Sequence, residues 1–299
     1  MSHPALAFIG FGEAGQTLAS GFLAEGVASI AAWDILFPDA GGGARLRAAA
    51  ERLGVRMGRD TLDAIRGADI VFSAVTAASN LEAARQAAPG LSSAQFYVDL
   101  NSVSPSRKRQ AAQIAGERAR FVGMAVMAPV HPLRHKTPVL VSGPAAADIV
   151  PLLRRCGMDV APVGADVGAA AAIKMVRSVM IKGLSALTQE CFLAARRAGV
   201  EDRIIASLTQ SMPMIDWAKF ADYNMERMAT HGLRRAAEMR DVCETLEELG
   251  VEPALTRGTV VREQRTGEAR LKSKFGGTVP EDRAAILEAL IGQSRGPLV

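Results

Sequence analysis

The chain has 299 residues, of which 49% are hydrophobic and 22% are charged, a balance typical of folded globular proteins rather than disordered ones. At roughly 150 residues per domain, this length predicts two domains. The net charge is only +4 and is spread along the chain, which argues against nucleic acid as a partner, and no apolar run approaches the roughly 18 residues of a membrane-spanning helix.

Cysteine usage and the N-terminus indicate the compartment. Cys156, Cys191 and Cys243 are scattered, without the spacing of a disulfide framework or a zinc cluster. We therefore expect a reducing environment and no metal site. The first four residues carry no basic segment of the kind that begins a signal peptide. Together these features predict a cytoplasmic protein.

The first half of the chain alternates short apolar runs with helix-length segments. This alternation predicts βαβ units and a doubly wound, mostly parallel sheet. The continuous apolarity of the runs is typical of strands that are covered on both faces. The predicted strands are residues 5–9, 29–33, 70–74, 96–99, 121–127, 139–142 and 158–161, and the predicted helices include 13–25, 44–53 and 145–155.

The second half carries no strand signal and is predicted to be all-helical. One long helix is expected over residues 166–198, with Gly199 as its end, followed by helices that include 225–239 and 240–249. We place the domain boundary near Gly164, which gives an α/β domain at 1–163 and a helical domain at 164–299. The long helix is predicted from apolar residues at three- and four-residue steps, namely Ile173, Val176, Met180, Leu184, Leu187 and Cys191.

A glycine-rich motif joins the first strand to the first helix. The run Gly10-Phe11-Gly12-Glu13-Ala14-Gly15 matches G-x-G-x-x-G. Its first glycine permits a tight turn, its second lets the backbone approach a pyrophosphate, and its third allows close helix–strand packing. The alternative, a glycine turn that binds nothing, is disfavoured by this βαβ context. The motif predicts a Rossmann domain that binds a dinucleotide.

An acidic residue near the motif bears on the choice of cofactor. Asp34 ends the second strand, 19 residues after Gly15. A carboxylate there accepts hydrogen bonds from an adenine ribose and repels a 2′-phosphate. We therefore predict NAD in preference to NADP, with NADP as the alternative. Val75 and Thr76, which directly follow the run at 70–74, are further candidates for cofactor contact.

The segment from Asp99 to Pro105 follows the strand at 96–99. Ser104 before Pro105 suits the start of a helix. Because the carboxyl ends of parallel strands face the ligand crevice, Asn101 and Ser102 are candidates for contact with nicotinamide or substrate. The alternative is a capped helix start without a ligand. Arg107-Lys108-Arg109, in the first turn of that helix, are interpreted as a solvated face, with contact to a nearby anion as the alternative.

Lys174 lies in the alanine-rich start of the long helix. Small neighbours allow another part of the molecule to approach closely, and a lysine that loses water there becomes a better base. Such an amine can take a proton from a hydroxyl group while hydride leaves the carbon. From the pattern alone an exposed lysine is favoured, because lysine is seldom buried.

In order and spacing, these motifs resemble those of the β-hydroxyacid dehydrogenase family, which includes 3-hydroxyisobutyrate and 6-phosphogluconate dehydrogenases. The resemblance implies a Rossmann domain, a long interdomain helix, an all-α second domain and usually a dimer. It also implies that Lys174 is the catalytic acid–base and that Ser102 and the segment near Val130 contact substrate. It covers roughly residues 5–195 and rests on Gly10–Gly15, Asp99–Pro105, Ala128–Val130, Val141–Gly143 and Gly164–Lys174.

Two departures from the family pattern fall in the substrate half of the site. After Val130 the family typically has Ser-Gly-Gly, a backbone loop for the substrate carboxylate, whereas this chain has His131-Pro132-Leu133. Four residues after the lysine the family typically has asparagine, whereas this chain has Ser178, which makes fewer hydrogen bonds. His131 and Ser178 are therefore candidate substrate contacts, but 3-hydroxyisobutyrate cannot be assumed as the substrate.

The C-terminal part resembles an uncharacterised branch of the superfamily with its own short C-terminal domain. His231 and Arg234 lie three residues apart on a predicted helix, where they can meet an anionic substrate or form part of a surface or dimer face. The combined prediction is a homodimeric NAD(P)-dependent dehydrogenase for a small hydroxy acid. Two alternatives stay open: an imine reductase, which generally lacks lysine at this site, and a non-catalytic NAD(H)-binding regulator.

Overall fold

The computed structural model describes residues 3–292. The chain divides into two compact units, Met1–Lys174 and Met175–Val299. The predicted roles of residues 1–163 in dinucleotide binding and of 164–299 in substrate binding and dimerisation stay predictions. No helix within the described residues is long and apolar enough to cross a membrane.

The first unit is built on an eight-stranded sheet with the order β3-β2-β1-β4-β5-β6-β7-β8. Strands β1 to β6 run parallel, β7 pairs antiparallel with β6, and β8 pairs parallel with β7. This arrangement confirms the predicted mostly parallel Rossmann-like sheet. The strands are β1 (Leu6–Ile9), β2 (Ile30–Trp33), β3 (Arg56–Met57), β4 (Ile70–Ser73), β5 (Phe96–Asp99), β6 (Arg120–Val126), β7 (Val139–Ser142) and β8 (Val160–Pro162).

Helices connect and flank these strands. The two-residue strand β3 and the short helix α3 were not predicted, because elements of this length carry no measurable periodicity. Gly54 ends α2 in the left-handed conformation (φ 68°), as its position in the sequence predicts. The helices are α1 (Glu13–Ala24), α2 (Ala44–Leu53), α3 (Thr61–Ile65), α4 (Asn80–Ala87), α5 (Pro105–Ala115) and α6 (Ala146–Arg155).

Both faces of the sheet are buried. Leu6 and Phe8 of β1 belong to one hydrophobic cluster, and Ala7 and Ile9 belong to another on the opposite face. Alternate residues of a strand point to opposite faces, so a strand that is covered on both sides has no solvent-facing positions. The ring of Phe8 stacks on that of Phe72 on the neighbouring β4, with centroids 5.2 Å apart. The continuous apolar runs in the sequence follow from this arrangement.

The second unit is helical throughout the residues that the structure describes. The predicted pair of helices at 225–239 and 240–249 is wrong, because both segments belong to the single helix α9. Residues 239–241 include no glycine or proline, and Met239, Val242 and Leu246 continue the spacing of its buried positions. The elements are α7 (Ala169–Ala198, which begins in the first unit), α8 (Glu201–Ser211), α9 (Trp217–Glu248), α10 (Ala254–Glu268), α11 (Leu271–Lys274) and α12 (Arg283–Ile291).

The apolar positions that predict α7 lie on an exposed face of that helix. Met180 and Leu187 are 62% and 63% exposed, and Val176 and Leu184 are also exposed. The buried positions of the same stretch are largely polar and include Ser178, Lys182, Ser185 and Gln189. This distribution is the reverse of what a helix of an isolated globular protein shows.

Candidate cofactor and catalytic site

The three glycines of the first loop have three different structural roles. Gly10 has a φ of +90°, and a Cβ built on it would lie 2.5 Å from the carbonyl oxygen of Ala74. A Cβ on Gly15 would lie 2.7 Å from the carbonyl oxygen of Gly10. At Gly12, by contrast, a Cβ would meet no described atom within 4 Å. The loop therefore needs Gly10 and Gly15 for its own folding, whereas Gly12 leaves space on its outer side, as the approach of a pyrophosphate requires.

The residues between these glycines show how the loop is held. Phe11 is fully buried in the core, so only its backbone is available to a cofactor. Glu13 is exposed and Ala14 is half-buried in the first turn of α1. Gly12 is the N-cap of α1, and no described side chain accepts a hydrogen bond from this helix end. The first N–H groups of α1 lack intrahelical partners, and with the positive end of the helix dipole they favour an anion.

Asp34 lies at the end of β2 beside this loop. Its Oδ2 accepts a hydrogen bond from the backbone N–H of Phe11 (2.7 Å), and its Oδ1 accepts one from Leu36 (3.0 Å). Each carboxylate oxygen keeps a second lone pair, so the fixed carboxylate can still accept hydrogen bonds from ribose hydroxyls. The next residue, Ile35, is 78% exposed and offers an apolar surface beside the carboxylate.

Val75 and Thr76 follow β4 next to the glycine loop. The side chain of Val75 would be 3.0 Å from a Cβ on Gly10, so these two residues are neighbours. Thr76 is exposed, and its Oγ1 lies 3.0 Å from the Oγ of Ser79. The structure thus places the predicted cofactor residues of β1, β2 and β4 at the carboxyl ends of adjacent strands.

Asn101 follows the neighbouring strand β5 and is buried. Its Nδ2 donates to the Oγ of Ser73 (3.0 Å) and to the Oδ1 of Asp99 (2.8 Å). Its Oδ1 is buried without a hydrogen-bond partner among the described residues. A buried acceptor without a partner is costly, and at the carboxyl end of a central strand it fits a donor group of a bound molecule.

Ser102 and Lys174 are brought together although they are 72 residues apart. The Nζ of Lys174 donates to the Oγ of Ser102 at 2.5 Å. Lys174 is partly buried, so the exposed lysine that the pattern alone favours is not what the structure shows. The pair combines an amine with a hydroxyl group that can hold its protonated form.

The start of α7 is positioned by contacts that explain this pairing. The Oγ of Ser142 on β7 accepts from the N–H of Ala170 (3.1 Å) and donates to the carbonyl of Val167 (2.9 Å). A Cβ on Gly168 would lie 3.0 Å from that of Pro105, the first residue of α5. Glycine therefore allows the beginning of α7 to approach the beginning of α5, which brings Lys174 next to the turn that carries Ser102.

The segment that replaces the expected Ser-Gly-Gly loop contacts α1. The Nε2 of His131 lies 3.1 Å from the Oγ1 of Thr17 on α1. Val130 is partly buried, and its carbonyl accepts from the N–H of Arg134 at 2.5 Å. His135, four residues after His131, is buried and has its Nε2 3.3 Å from the Oε1 of Glu25. Within residues 3–292, no three His, Cys, Asp or Glu side chains are grouped as a metal ion would require.

The remaining predicted substrate residues belong to the second unit. Ser178 is buried, and its Oγ is 3.5 Å from the Nζ of Lys182. His231 is partly buried on α9. Arg234 is exposed, and its Nη1 lies 2.9 Å from the Oε1 of Glu238, whose Oε2 lies 2.8 Å from Lys182.

Sequence reasoning missed Lys108. This residue is 1% exposed and forms an ion pair with Asp99, Nζ to Oδ1, at 2.9 Å, so its interpretation as part of a solvated face is wrong. Burial lowers the pKa of Lys108, and the carboxylate of Asp99 opposes that effect. A signal was present, because Lys108 shares a helix face with Ala111 and Ala115 at three- and four-residue spacing.

Comparison with known proteins places this geometry in a family. Residues 5–102 match the family model described as "NADP oxidoreductase coenzyme F420-dependent", and residues 195–266 match a domain of unknown function, DUF1932. A conserved hypothetical protein from Sinorhizobium meliloti 1021 is 38% identical, with a TM-score of 0.77 over 97% of this chain and 96% of the other. A conserved protein of unknown function, described as structurally similar to 3-hydroxyacid dehydrogenases, is 31% identical, with a TM-score of 0.71 over 90% and 98%.

The chain belongs to the β-hydroxyacid dehydrogenase-like superfamily. The separate match at residues 195–266 confirms that this superfamily member carries its own C-terminal domain, as the sequence resemblance indicates. A 2-(hydroxymethyl)glutarate dehydrogenase from Eubacterium barkeri is 26% identical over 204 residues, which span 66% of this chain and 65% of that enzyme.

Proposed function

We propose that this superfamily member is an NAD-dependent dehydrogenase that oxidises a small hydroxy acid, with Lys174 as the general base. The observation that supports this proposal most directly is the hydrogen bond from Lys174 to Ser102. It joins a partly buried amine to the turn that follows β5, at the end of the sheet where open α/β folds bind ligands. The relative described as a 2-(hydroxymethyl)glutarate dehydrogenase supports this class of reaction, as does the relative of unknown function described as structurally similar to 3-hydroxyacid dehydrogenases.

The glycine loop, Asp34, Val75, Thr76 and Asn101 are the residues proposed to hold the cofactor. The space beside Gly12 and the N-terminus of α1 fit a dinucleotide, as does the Oδ1 of Asn101, which lacks a partner in the part of the chain that the structure describes. A bound nicotinamide supplies the hydride acceptor in oxidation and the hydride donor in the reverse direction. The carboxylate of Asp34 supports NAD over NADP, because it would repel a 2′-phosphate.

Lys174 is proposed to move the proton. In its neutral form the amine takes the proton of the substrate hydroxyl as the carbonyl forms, and in the reverse direction the ammonium returns it. The Oγ of Ser102 accepts from the ammonium and keeps the Nζ directed at one point. This arrangement supplies a positioned base for the proposed proton transfer.

The substrate contacts are proposed to differ from those of the better-known relatives. His131 with Val130 stands in place of a glycine loop, and its bond to Thr17 fixes the imidazole on α1. An imidazole there can donate to a carboxylate. Ser178, His231 and Arg234 remain proposed contacts for an anionic substrate, although Arg234 is already paired with Glu238.

The first experiment is the formation of NADH from NAD with a panel of 2- and 3-hydroxy acids. Wild type, Lys174→Met and the control Lys219→Met, which removes an 87% exposed lysine side chain on α9, are assayed in parallel. We expect Lys174→Met to lower kcat by about 10²–10⁴-fold while the affinity for NADH is kept. Turnover that is unaffected by Lys174→Met would refute the general-base role.

Two further measurements on the same proteins, NADH consumption with a panel of imines and the binding of NADH, separate the alternative functions. Reduction of imines with no oxidation of any hydroxy acid would indicate the imine reductase alternative. NADH binding without turnover of either panel would indicate a cofactor-binding regulator. Both results would overturn the dehydrogenase proposal.

We also propose that the protein is a homodimer through the exposed apolar face of α7. Val176, Met180, Leu184 and Leu187 present a row of large apolar side chains to solvent, and such a patch is typical of a protein–protein interface. A second copy offers the same row, so a two-fold symmetric contact can bury both.

A cytoplasmic location, expected from the scattered cysteines, stays a prediction.

A further inference from the structure

A lysine ammonium group is enclosed at the carboxyl ends of β5 and β6. The side chain of Lys108 is 1% exposed and that of Asp99 is fully buried. The Nζ of Lys108 lies 2.9 Å from the Oδ1 of Asp99, donates to the backbone carbonyl of Asp99 (2.6 Å) and reaches the carbonyl of Met124 (3.4 Å). An ammonium has three N–H donors, and here three oxygens surround it.

These contacts brace the turn that follows β5. The Oδ1 of Asp99 also accepts from the backbone N–H of Asn101 (3.0 Å), and its Oδ2 accepts from the Nδ2 of Asn80 (2.7 Å). The carbonyl of Asn101 accepts in turn from the N–H of Val103 (3.1 Å). The ammonium therefore holds both the backbone carbonyl of Asp99 and its carboxylate, and that carboxylate in turn accepts from the backbone N–H of Asn101.

Ser102 is the one residue of this segment that the bracing leaves accessible. All other residues from 95 to 105 are buried, whereas Ser102 is partly exposed. Its Oγ is the atom that accepts from Lys174. The turn thus presents a single hydroxyl group, held from behind by a buried ion pair.

A contribution to folding stability does not by itself explain the buried ion pair of Lys108 and Asp99. Removing two charges from water costs free energy that their attraction in the interior often fails to offset, and well-packed apolar replacements are often neutral or stabilising. The helix that carries Lys108 has its own support, since Ser104 caps it and Ala111 and Ala115 bury its inner face. What an apolar side chain cannot supply is a set of directed bonds to the ends of two strands.

We propose that Lys108 is a positioning residue, which holds the turn from Asp99 to Ser104 so that the Oγ of Ser102 meets the Nζ of Lys174. The inference rests on the proposed function for its purpose, because it concerns how the proposed base is placed. The coupling of Lys108 to Lys174 through Ser102 can nevertheless be measured without any turnover.

The test is a double-mutant cycle on the reactivity of Lys174. Wild type, Ser102→Ala, Lys108→Met and the combined variant are labelled with an amine-acylating reagent at fixed pH, and the labelling rate of Lys174 is read by peptide mass spectrometry. Loss of the hydrogen bond to Ser102 is expected to speed labelling by about tenfold. Lys108→Met should give a similar increase, and the combined variant should show no further increase. The control is Arg118→Met, an exposed position shortly after the end of α5, in which Lys174 should be labelled at the wild-type rate.

Two results would overturn the proposal. One is a folded Lys108→Met protein in which Lys174 labels at the wild-type rate, and the other is a pair of effects that multiply in the combined variant. If Lys108→Met does not fold, Lys108→Met with Asp99→Asn replaces it in the cycle. That pair removes both charges. The Oδ1 of Asn80, which has no hydrogen-bond partner within residues 3–292, can accept from the new amide after a 180° rotation of the Asn80 amide group.

Turnover provides the second readout. If the wild type oxidises a hydroxy acid, kcat should fall in Ser102→Ala and Lys108→Met and fall no further in the combined variant, with the KM for NAD little changed. If the wild type turns over no substrate, the proposed function fails, and the labelling cycle still decides whether Lys108 positions Ser102.

Discussion

The imidazole of His135 lies against Gly21 of α1, where a Cβ on residue 21 would overlap its Nδ1. The ring is 1% exposed, and its centroid is 5.6 Å from that of Phe22. Its Nε2 is 3.3 Å from Glu25, which also pairs with Lys136 at 2.7 Å. Through these contacts the connection between β6 and β7 is held on the helix that follows the glycine loop.

This contact predicts an unusual effect of a helix-stabilising substitution. Alanine is favoured over glycine inside a helix by roughly 1 kcal/mol, yet Gly21→Ala should lower the free energy of unfolding by about 1–3 kcal/mol because it displaces His135. The double variant Gly21→Ala with His135→Ala should be more stable than Gly21→Ala alone. Urea unfolding measures both, and a Gly21→Ala protein as stable as wild type would contradict the contact.

The same histidine predicts a loss of stability on mild acidification. Burial lowers the pKa of His135, with Lys136 and Arg134 acting in the same direction and Glu25 opposing them. The unfolded chain takes up a proton near the usual pKa of about 6.5, whereas the folded protein does so only at lower pH. Below about pH 6.5 the unfolded state therefore binds more protons, and stability falls until the pH reaches the folded pKa.

The measurement compares unfolding midpoints at several pH values between 7.5 and 5 in wild type and His135→Gln. The decline over this range should be smaller in His135→Gln. The pKa of Glu25 is lowered chiefly by its hydrogen bond to Lys136, so its contribution is present above its usual pKa and is lost only at more acidic pH. An equal decline in wild type and His135→Gln would show that His135 is not the group responsible.

Asp34 predicts the cofactor preference. Wild type should bind NADH at least about tenfold more tightly than NADPH, because the carboxylate accepts from ribose hydroxyls and repels a phosphate. Asp34→Asn should narrow that ratio. Fluorescence titration measures both affinities. The control is Asp39→Asn, in the same connection between β2 and α2, where the Oδ1 of Asp39 accepts from the backbone N–H groups of Gly41 and Gly42. Tighter binding of NADPH by the wild type would refute the role of Asp34.

The buried ion pair between Arg235 and Glu263 predicts a position of the second unit at which substitution strongly lowers stability. The Nη2 of Arg235 lies 2.7 Å from Glu263, whose side chain is fully buried, and burial raises the pKa of Glu263. Arg235→Met should destabilise by about 3–5 kcal/mol, because it leaves a buried carboxylate without its partner. Adding Glu263→Gln should recover part of that loss.

Denaturant unfolding checks this expectation against a surface pair. Arg257 and Glu247 are also 2.7 Å apart, but both side chains are about half exposed, so Arg257→Met should cost at most about 1 kcal/mol. Equal losses for Arg235→Met and Arg257→Met would mean that the burial of the first pair has no energetic consequence.

The exposed row on α7 predicts the response of the assembly to charge. Met180→Glu or Leu187→Glu should convert the proposed dimer to a monomer, because a carboxylate in an apolar interface is costly to desolvate. Light scattering after size-exclusion chromatography measures the mass, and Leu255→Glu on α10, also highly exposed, is the control. A monomeric wild type would refute the dimer.

Local sequence signals are sufficient for much of the first unit. Gly10, Gly15 and Gly54 occupy positions where backbone geometry or close packing demands glycine, and such demands are legible in one sequence. Buried strands can be predicted for a similar reason, since a strand covered on both faces has no solvent-facing positions and is largely apolar. Ser102 and Lys174 are a different case, because their motifs are visible but their 2.5 Å contact depends on the packing of α7 against α5.

The predictions that the sequence could not make correctly concern which side chains are buried. Lys108 stands between two arginines and looks solvated, but helical spacing places it with Ala111 on the buried face of α5. Periodicity detects α7 correctly from residues such as Met180, yet it cannot say whether an apolar face meets the core of the same chain or remains open. Burial depends on what packs against a helix, whereas the pattern within the helix shows only that one of its faces is more apolar than the other.

The three glycines of the first loop differ in what their loss would cost. Gly12 has an ordinary backbone conformation (φ −70°) and open space beside it, so alanine fits there without moving a neighbour, whereas the same change at Gly10 or Gly15 drives a methyl group into the backbone. One added carbon at residue 12 would therefore occupy the space proposed for a phosphate group of the dinucleotide and leave the sheet intact. Within these six residues, folding depends on Gly10 and Gly15 and the proposed binding depends on Gly12. A mutation can therefore abolish one without the other.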